Sequence, residues 1–240
     1  MLPDEFYARC SFIVGNLVSD LATFLGLSVQ TVEERMNRSY YIDVWFYDFM
    51  AKHGNDYAVW LSESQFYLYN SADWHTRVGL HGLSQHHFVP VAGCESCLDF
   101  GSGIGTHALI DAALGWKIAL CEINRHTAEF ARYRFEKYGL QGAFVNSPPA
   151  GAKYDLVRIW DVVGHLIDVE STIPTVIGML RDGGHLNVSF DNDAINDWHR
   201  NQNISFSDWL YRLGCNQLSD GLWQKSPCPD IKDMPQETSG

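Results

Sequence analysis

The chain has 240 residues, 46% of them apolar and 19% charged, with a formal net charge of −12. That length makes one domain, or one domain with a sizeable extension, and the composition excludes wholesale disorder. The acidic balance repels phosphate backbones and anionic membrane surfaces, and no basic cluster interrupts it, so neither nucleic acid nor a membrane is an expected partner. No apolar run reaches the roughly eighteen residues that a bilayer span needs. Residues 1–10 carry acids rather than the basic start of a secretory signal, and six cysteines are too sparse for a disulfide scaffold. The expected location is the cytoplasm.

In chain order, the first 90 residues read as a helical extension. Phe6, Cys10, Ile13, Val14, Leu17, Leu21 and Phe24 recur at helical spacing, and Gly26 ends that helix. Ser28 or Thr31 starts the next, with Thr31 and Glu34 at capping-box spacing. Aromatic residues then crowd in from Tyr40 to Tyr69, and Asn70, Ser71 and Asp73 predict a turn. Such aromatic density suits a helical layer packed on a sheet, part of which lines a pocket for an apolar or aromatic molecule.

Residues 91–226 change to short apolar runs alternating with helical segments. Strands are expected at 97–100, 117–123, 143–145, 154–160 and 185–190, the last introduced by a Gly183-Gly184 turn. Helices are expected at 105–114, 125–138, 169–180 and 206–213. Two final strands, 215–218 and 222–225, flank Asp220-Gly221, a strong hairpin signal. This alternation predicts an α/β fold: a mostly parallel sheet of seven strands with helices on both faces and an antiparallel C-terminal pair. Residues 227–240, rich in proline and polar groups, read as a flexible tail.

The chemistry concentrates after the first strand, where residues 98–106 read Leu-Asp-Phe-Gly-Ser-Gly-Ile-Gly-Thr. Glycines at 101, 103 and 105 let the backbone bend sharply and keep side chains out of a ligand's space. Exposed N–H groups at the following helix start favour a carboxylate or phosphate. A dinucleotide fingerprint would be G-x-G-x-x-G, whereas here the third glycine comes one residue early. Glu122, at the end of the second strand, is placed to accept both hydroxyls of a ribose.

With Asp99 two residues before its first glycine, this run resembles motif I of the class I S-adenosylmethionine-dependent methyltransferases. Residues 154–190 resemble the fourth strand, fourth helix and fifth strand of that family. Tyr154, Asp155, Asp161, His165, Leu166, Gly183 and Gly184 stand in its pattern, which is nearest to the quinone-biosynthesis-like small-molecule branch. That branch usually has Glu-His where this chain has Gly164-His165. The resemblance covers roughly 94–225 and implies a Rossmann-like core with S-adenosyl-L-methionine as cofactor. It implies donor contacts by Asp99, Phe100, Gly101, Ser102, Gly103 and Thr106 near the methionine half. Glu122 would hold the ribose, Ile123 would lie against the adenine, and Asn146 would meet the adenine amino group. Trp160 and Asp161 would face the methyl donor.

Methyl transfer displaces an excellent leaving group, so the protein chiefly aligns the reactants and removes water. A base is needed only where the acceptor carries a proton. His165 is the candidate by type and place, because imidazole titrates near neutrality. No metal is expected. His75, His81, His86 and His87 lack a cysteine or acid at matching spacing, and Cys94 and Cys97 make only half a zinc site. Asp161, Asp191 and Asn192 resemble the magnesium ligands of catechol-type O-methyltransferases, although motif I is of another type. The reading is methyl transfer to a small, apolar or aromatic acceptor. Its rivals are a protein or peptide acceptor, a non-catalytic module retaining the fold, and a nicotinamide oxidoreductase.

Overall fold

The computed structural model describes residues 4–86, 91, 93–147, 151–189 and 206–226. Its N-terminal helices are α1 (Asp4–Gly15), α2 (Leu17–Leu25), α3 (Val29–Arg38), α4 (Ile42–His53), α5 (Tyr57–Glu63) and α6 (Phe66–His86). The expected single first helix is two, bent by 45°. Asn16 sits between them at φ −94° and ψ 3°, and its side-chain amide donates to the Phe12 carbonyl at 2.7 Å, competing with the helical ladder. The next helix is capped by Ser28, whose hydroxyl accepts the Thr31 N–H at 3.1 Å, so the Thr31/Glu34 capping box does not form. The turn expected at Asn70–Asp73 is also absent: those residues are helical within α6. Ala72 and Asp73 are buried there, and Asp73 pairs with Arg77 one turn on, at 2.6 Å, so packing overrides the local turn preference. The break in α6 comes later, at Gly79, which has φ 58° and ψ −176°.

The rest alternates as expected: β1 (Ser96–Phe100), α7 (Thr106–Ala113), β2 (Lys117–Cys121), α8 (Arg125–Lys137), β3 (Ala143–Val145) and β4 (Tyr154–Ile159). A 3-10 turn (Val163–His165), α9 (Val169–Ile177), β5 (Leu180–Val188), α10 (Phe206–Arg212), β6 (Cys215–Ser219) and β7 (Leu222–Lys225) complete it. One seven-stranded sheet runs in the order β3-β2-β1-β4-β5-β7-β6, parallel except where β7 pairs with β5 and β6. This is the Rossmann-like sheet with a terminal antiparallel pair. The Gly183-Gly184 turn is not a separate connection. Both glycines lie inside β5, Gly183 at φ 76°, where the register against β4 slips between Tyr154 and Leu156. The preceding helix accordingly stops at Ile177 rather than 180.

Alternation along β1 sends Cys97 and Asp99 to one face and Leu98 and Phe100 to the other. The first face packs against α1, α7 and α8 through Ile13, Ala108, Leu109 and Phe135. The second packs against α9 and α10 through Ile173, Val176 and Leu210. Asp20 of α2, fully buried, accepts from Lys137 Nζ at 2.6 Å and Tyr138 Oη at 2.5 Å, which fastens the helical extension to the end of α8. The five described cysteines, Cys94 and Cys97 among them, are buried free thiols. Burial pushes the Cys94 thiol up to about 11, so at neutral pH it packs as a small protonated side chain. His87, Asp191, Asn192 and the 227–240 tail lie outside the described residues, as does the side chain of His86.

Candidate active site

The strand order reverses between β1 and β4, and ligands of open α/β sheets bind beyond the carboxyl ends of the strands at such a point. A cavity of about 1060 Å³ lies there, walled by the ends of β1, β2 and β4 on one side and by α6 on the other.

The loop leaving β1 is fixed by the neighbouring strand: the Gly101 and Ser102 N–H groups donate to the Cys121 carbonyl at 2.8 and 3.2 Å. Its three glycines are required by different surroundings. A Cβ on Gly101 would stand 2.2 Å from Val162 Cγ2, and one on Gly105 would stand 3.0 Å from Ala131 Cβ and 3.2 Å from Leu120 Cδ2. At Gly103, with φ 52°, an added Cβ would meet nothing nearer than Ser71 Oγ at 3.8 Å. The bend is therefore held by protein at both ends and left open to the cavity at its middle.

Glu122 sits beside that opening. Its carboxylate accepts the Gly103 and Asn124 N–H groups, each at 2.6 Å, and these two bonds aim it while leaving lone pairs for other donors. Burial raises its carboxyl above the ordinary 4.5, and the same two N–H groups draw it back. Asp99 is buried at the base of the bend, with Oδ2 lacking any hydrogen-bond partner. Burial is the main cause that pushes its carboxyl up to about 6, opposed by the Arg158 guanidinium. A buried carboxylate oxygen facing a cavity, a bend without side chains and a second, aimed carboxylate suit a ligand with a cationic amino-acid end and a sugar.

The structure brings Asp99, Phe100, Gly101, Ser102, Gly103, Glu122, Ile123, Asn146, Trp160, Asp161 and His165 onto this one cavity. Thr106 does not join them. It is fully buried, it does not line the cavity, and its hydroxyl accepts from Arg134 Nη1 at 2.8 Å. Its side chain belongs to the α7–α8 contact. Ile123 is 59% exposed at the rim, as an apolar platform would be. Asp161 adopts φ 53°, unusual for a residue with a side chain, and its N–H donates to Ser189 Oγ at 2.9 Å. His165 closes the 3-10 turn with its ring edge-on to Tyr67, centroids 5.6 Å apart.

Sequence reasoning expected part of the aromatic stretch that holds Tyr67 to line a pocket and missed the rest of the opposite wall. Tyr67, Asn70, Ser71 and Trp74 come from α6 and His107 from α7. The His107 ring lies 5.5 Å from that of His75 and 6.4 Å from that of Trp160. The only available signal was the helical period through the aromatic stretch, obscured by the turn-like Asn70–Asp73. Tyr67 accepts a hydrogen bond from Trp60 Nε1 at 2.9 Å, and burial pushes its phenol well above the ordinary 10, so it stays protonated. Cys121 also lines the cavity, but burial, with Glu122 and Asp99 beside it, pushes its thiol up to about 12. Neither group is a base or nucleophile at neutral pH. Among the described residues no cluster of three or more histidine, cysteine, aspartate or glutamate side chains is arranged to hold a metal.

A Rossmann-like sheet with an open glycine bend after β1 and an aimed acid after β2 defines a class I, S-adenosylmethionine-dependent methyltransferase. A family model described as a methyltransferase domain matches residues 60–222, well over half of the chain, and the chain belongs to that family. No curated protein matches it. Among solved structures it is similar to an O-methyltransferase family protein from Burkholderia thailandensis, with a TM-score of 0.54 and 11% identity, over 82% of this chain and 72% of that one. TehB from Haemophilus influenzae matches with a TM-score of 0.47 and 16% identity, over 60% of this chain and 66% of that one, so the chain spans just under two thirds of it. Magnesium protoporphyrin IX methyltransferase from Synechocystis, solved with bound S-adenosylmethionine, matches at 0.46 and 19%, over 56% of this chain and 71% of that one. At these identities the likeness is one of fold.

Proposed function

We propose that this methyltransferase acts on a small, apolar or aromatic acceptor, with residues 1–90 forming the wall that selects it. The cavity's size carries the reading. Single-ligand sites span about 300–1,000 Å³, and about 1060 Å³ leaves room for an acceptor beside the donor. When bound, S-adenosylmethionine supplies the activated methyl group. Asp99 would accept from its ammonium, Glu122 from its ribose hydroxyls, and Ile123 and Asn146 would flank its adenine. Trp74 and Trp160 offer aromatic faces on the acceptor side and exclude water. His165 is placed to take the proton of an acceptor hydroxyl or amine.

The test combines calorimetric titration with S-adenosylhomocysteine and transfer of a labelled methyl group to a panel of phenols, aromatic amines and unfolded peptides. Saturable binding, with label entering a phenol or amine and a loss of turnover in His165→Asn at unchanged donor affinity, supports the proposal. Label entering peptides alone would favour the protein-acceptor rival, and absence of S-adenosylhomocysteine binding at millimolar concentration would refute the donor site itself.

A further inference from the structure

The sheet register lines up a row of polar side chains of which the donor site uses only one end. Asp99 on β1 stands opposite Arg158 on β4, and Arg158 stands opposite Asn187 on β5. Parallel neighbours in register point to the same face, here the face covered by α7, and all three residues are buried. Arg158 Nη1 meets Asp111 Oδ2 of α7 at 2.6 Å, both side chains fully buried. Arg158 Nε donates to Asn187 Oδ1 at 3.4 Å, and Asn187 Nδ2 to the Gly221 carbonyl at 3.2 Å.

Stability alone gives little reason for such a row, because a buried ion pair can often be exchanged for well-packed apolar residues at no cost. Asp99, however, is a buried carboxylate with an unpartnered oxygen, and dehydration disfavours its charge. The titratable and charged groups around it are Arg158 on β4, Asp111 and His107 on α7, Cys121 on β2 with Glu122 after it, Cys97 on its own strand and His75 on α6. Asp111 and Glu122 oppose a negative Asp99, and of the whole set only the guanidinium is positive at every accessible pH.

We propose that Arg158 is a positioning residue for methyl-donor binding: it supplies the fixed positive charge that keeps the dehydrated Asp99 carboxylate ionised for the donor's ammonium, while Asp111 and Asn187 hold it in place. The inference rests on the assignment of the donor to the glycine bend.

Two readouts test it between about pH 5 and 9, the range in which such a carboxylate exchanges its proton. One is the titration of the Asp99 carboxyl carbon in protein labelled at aspartate; the other is S-adenosylhomocysteine affinity. The main variant is Arg158→Met/Asp111→Leu, which removes both charges and strands neither. The Asp99 midpoint should rise, because the guanidinium that is lost acts on Asp99 more strongly than the Asp111 carboxylate lost with it. Affinity should fall most below pH 6, by up to about tenfold for each unit of that rise, and return at high pH. Arg158→Lys should keep the midpoint near that of the wild type. In an Asp99→Asn background the same double substitution should cost no further affinity. Asn187→Leu, which leaves both charges in place, should raise the midpoint by less and covers failure of the double variant to fold. An unmoved Asp99 midpoint, or an affinity loss equal at all pH values, would overturn the proposal and leave Arg158 a packing role. Absence of S-adenosylhomocysteine binding by the wild type would instead overturn the donor assignment, with the midpoint still deciding the charge relation.

Discussion

Replacing Asp99 by Asn should make the protein more stable at neutral pH while weakening its hold on the donor. The Asp99 carboxyl rises from the ordinary 3.8 to about 6 on folding, chiefly through burial. At about 1.4 kcal/mol per pH unit this corresponds to roughly 3 kcal/mol against the folded state once the group is ionised. Because the folded value is the higher one, the folded chain binds more protons between 3.8 and about 6, and wild-type stability rises as pH falls through that window. The cost is complete above the window and absent below it. Asn retains an acceptor for the Ala108 N–H that meets Asp99 and carries no charge. Thermal unfolding at pH 7.5 should therefore show a Tm higher by about 6–12 °C, at about 2–4 °C per kcal/mol for a chain of this size. Near pH 3.5 the two proteins should melt together. A Tm difference of equal size at both pH values, or a variant less stable at pH 7.5, would refute the assignment of a dehydrated charge at this position.

Three other substitutions probe the bend. Gly103→Val should abolish S-adenosylhomocysteine binding measured by calorimetry, because its side chain enters cavity space, and should lower Tm, because φ 52° is strained for a β-branched residue, with the far-ultraviolet circular dichroism below that Tm staying that of the wild type. Gly101→Ala should destabilise the fold, because its Cβ would press on Val162, and adding Val162→Ala should recover part of the lost Tm. Glu122→Ala should weaken donor binding by about 1–3 kcal/mol, the cost of charge-assisted hydrogen bonds, as read by the same titration.

The features legible in the sequence were those that local pattern encodes. Alternating runs gave the strands, the early third glycine distinguished this bend from a dinucleotide loop, and Glu122 followed from its place at a strand end. What escaped depends on partners distant in the chain. Nothing near Thr106 shows that Arg134 claims its hydroxyl, with a second bond from the same nitrogen to the Ile104 carbonyl at 2.9 Å. Asn70 and Ser71 favour turns in isolation, but Leu68, Tyr69 and Ala72 are fully buried against α2 and α3, and that packing keeps the segment helical. The Asp99–Arg158–Asn187 row exists only once strand register is set, because the three residues are far apart in sequence and adjacent in the sheet. Gly183 and Gly184 resemble a turn to any local rule, and they occupy an irregularity within β5, between Leu180 and His185, which pair with Tyr154 and Leu156 of β4.

Asn124 received no notice in the sequence, and it fixes the geometry of one rim. Its side-chain oxygen caps α8 by accepting the His126 and Thr127 N–H groups. Its amide donates to the Leu61 and Ser64 carbonyls at 2.8 and 2.9 Å, while its own N–H holds Glu122. One buried amide thus rivets the corner between α5 and α6 to the loop that carries Glu122, the carboxylate proposed to hold the donor's ribose. Lifting that corner would break both bonds. On the proposed assignment this tie fixes the helical wall where the donor's nucleoside would lie, and a change of acceptor would be sought further along α6, at Trp74.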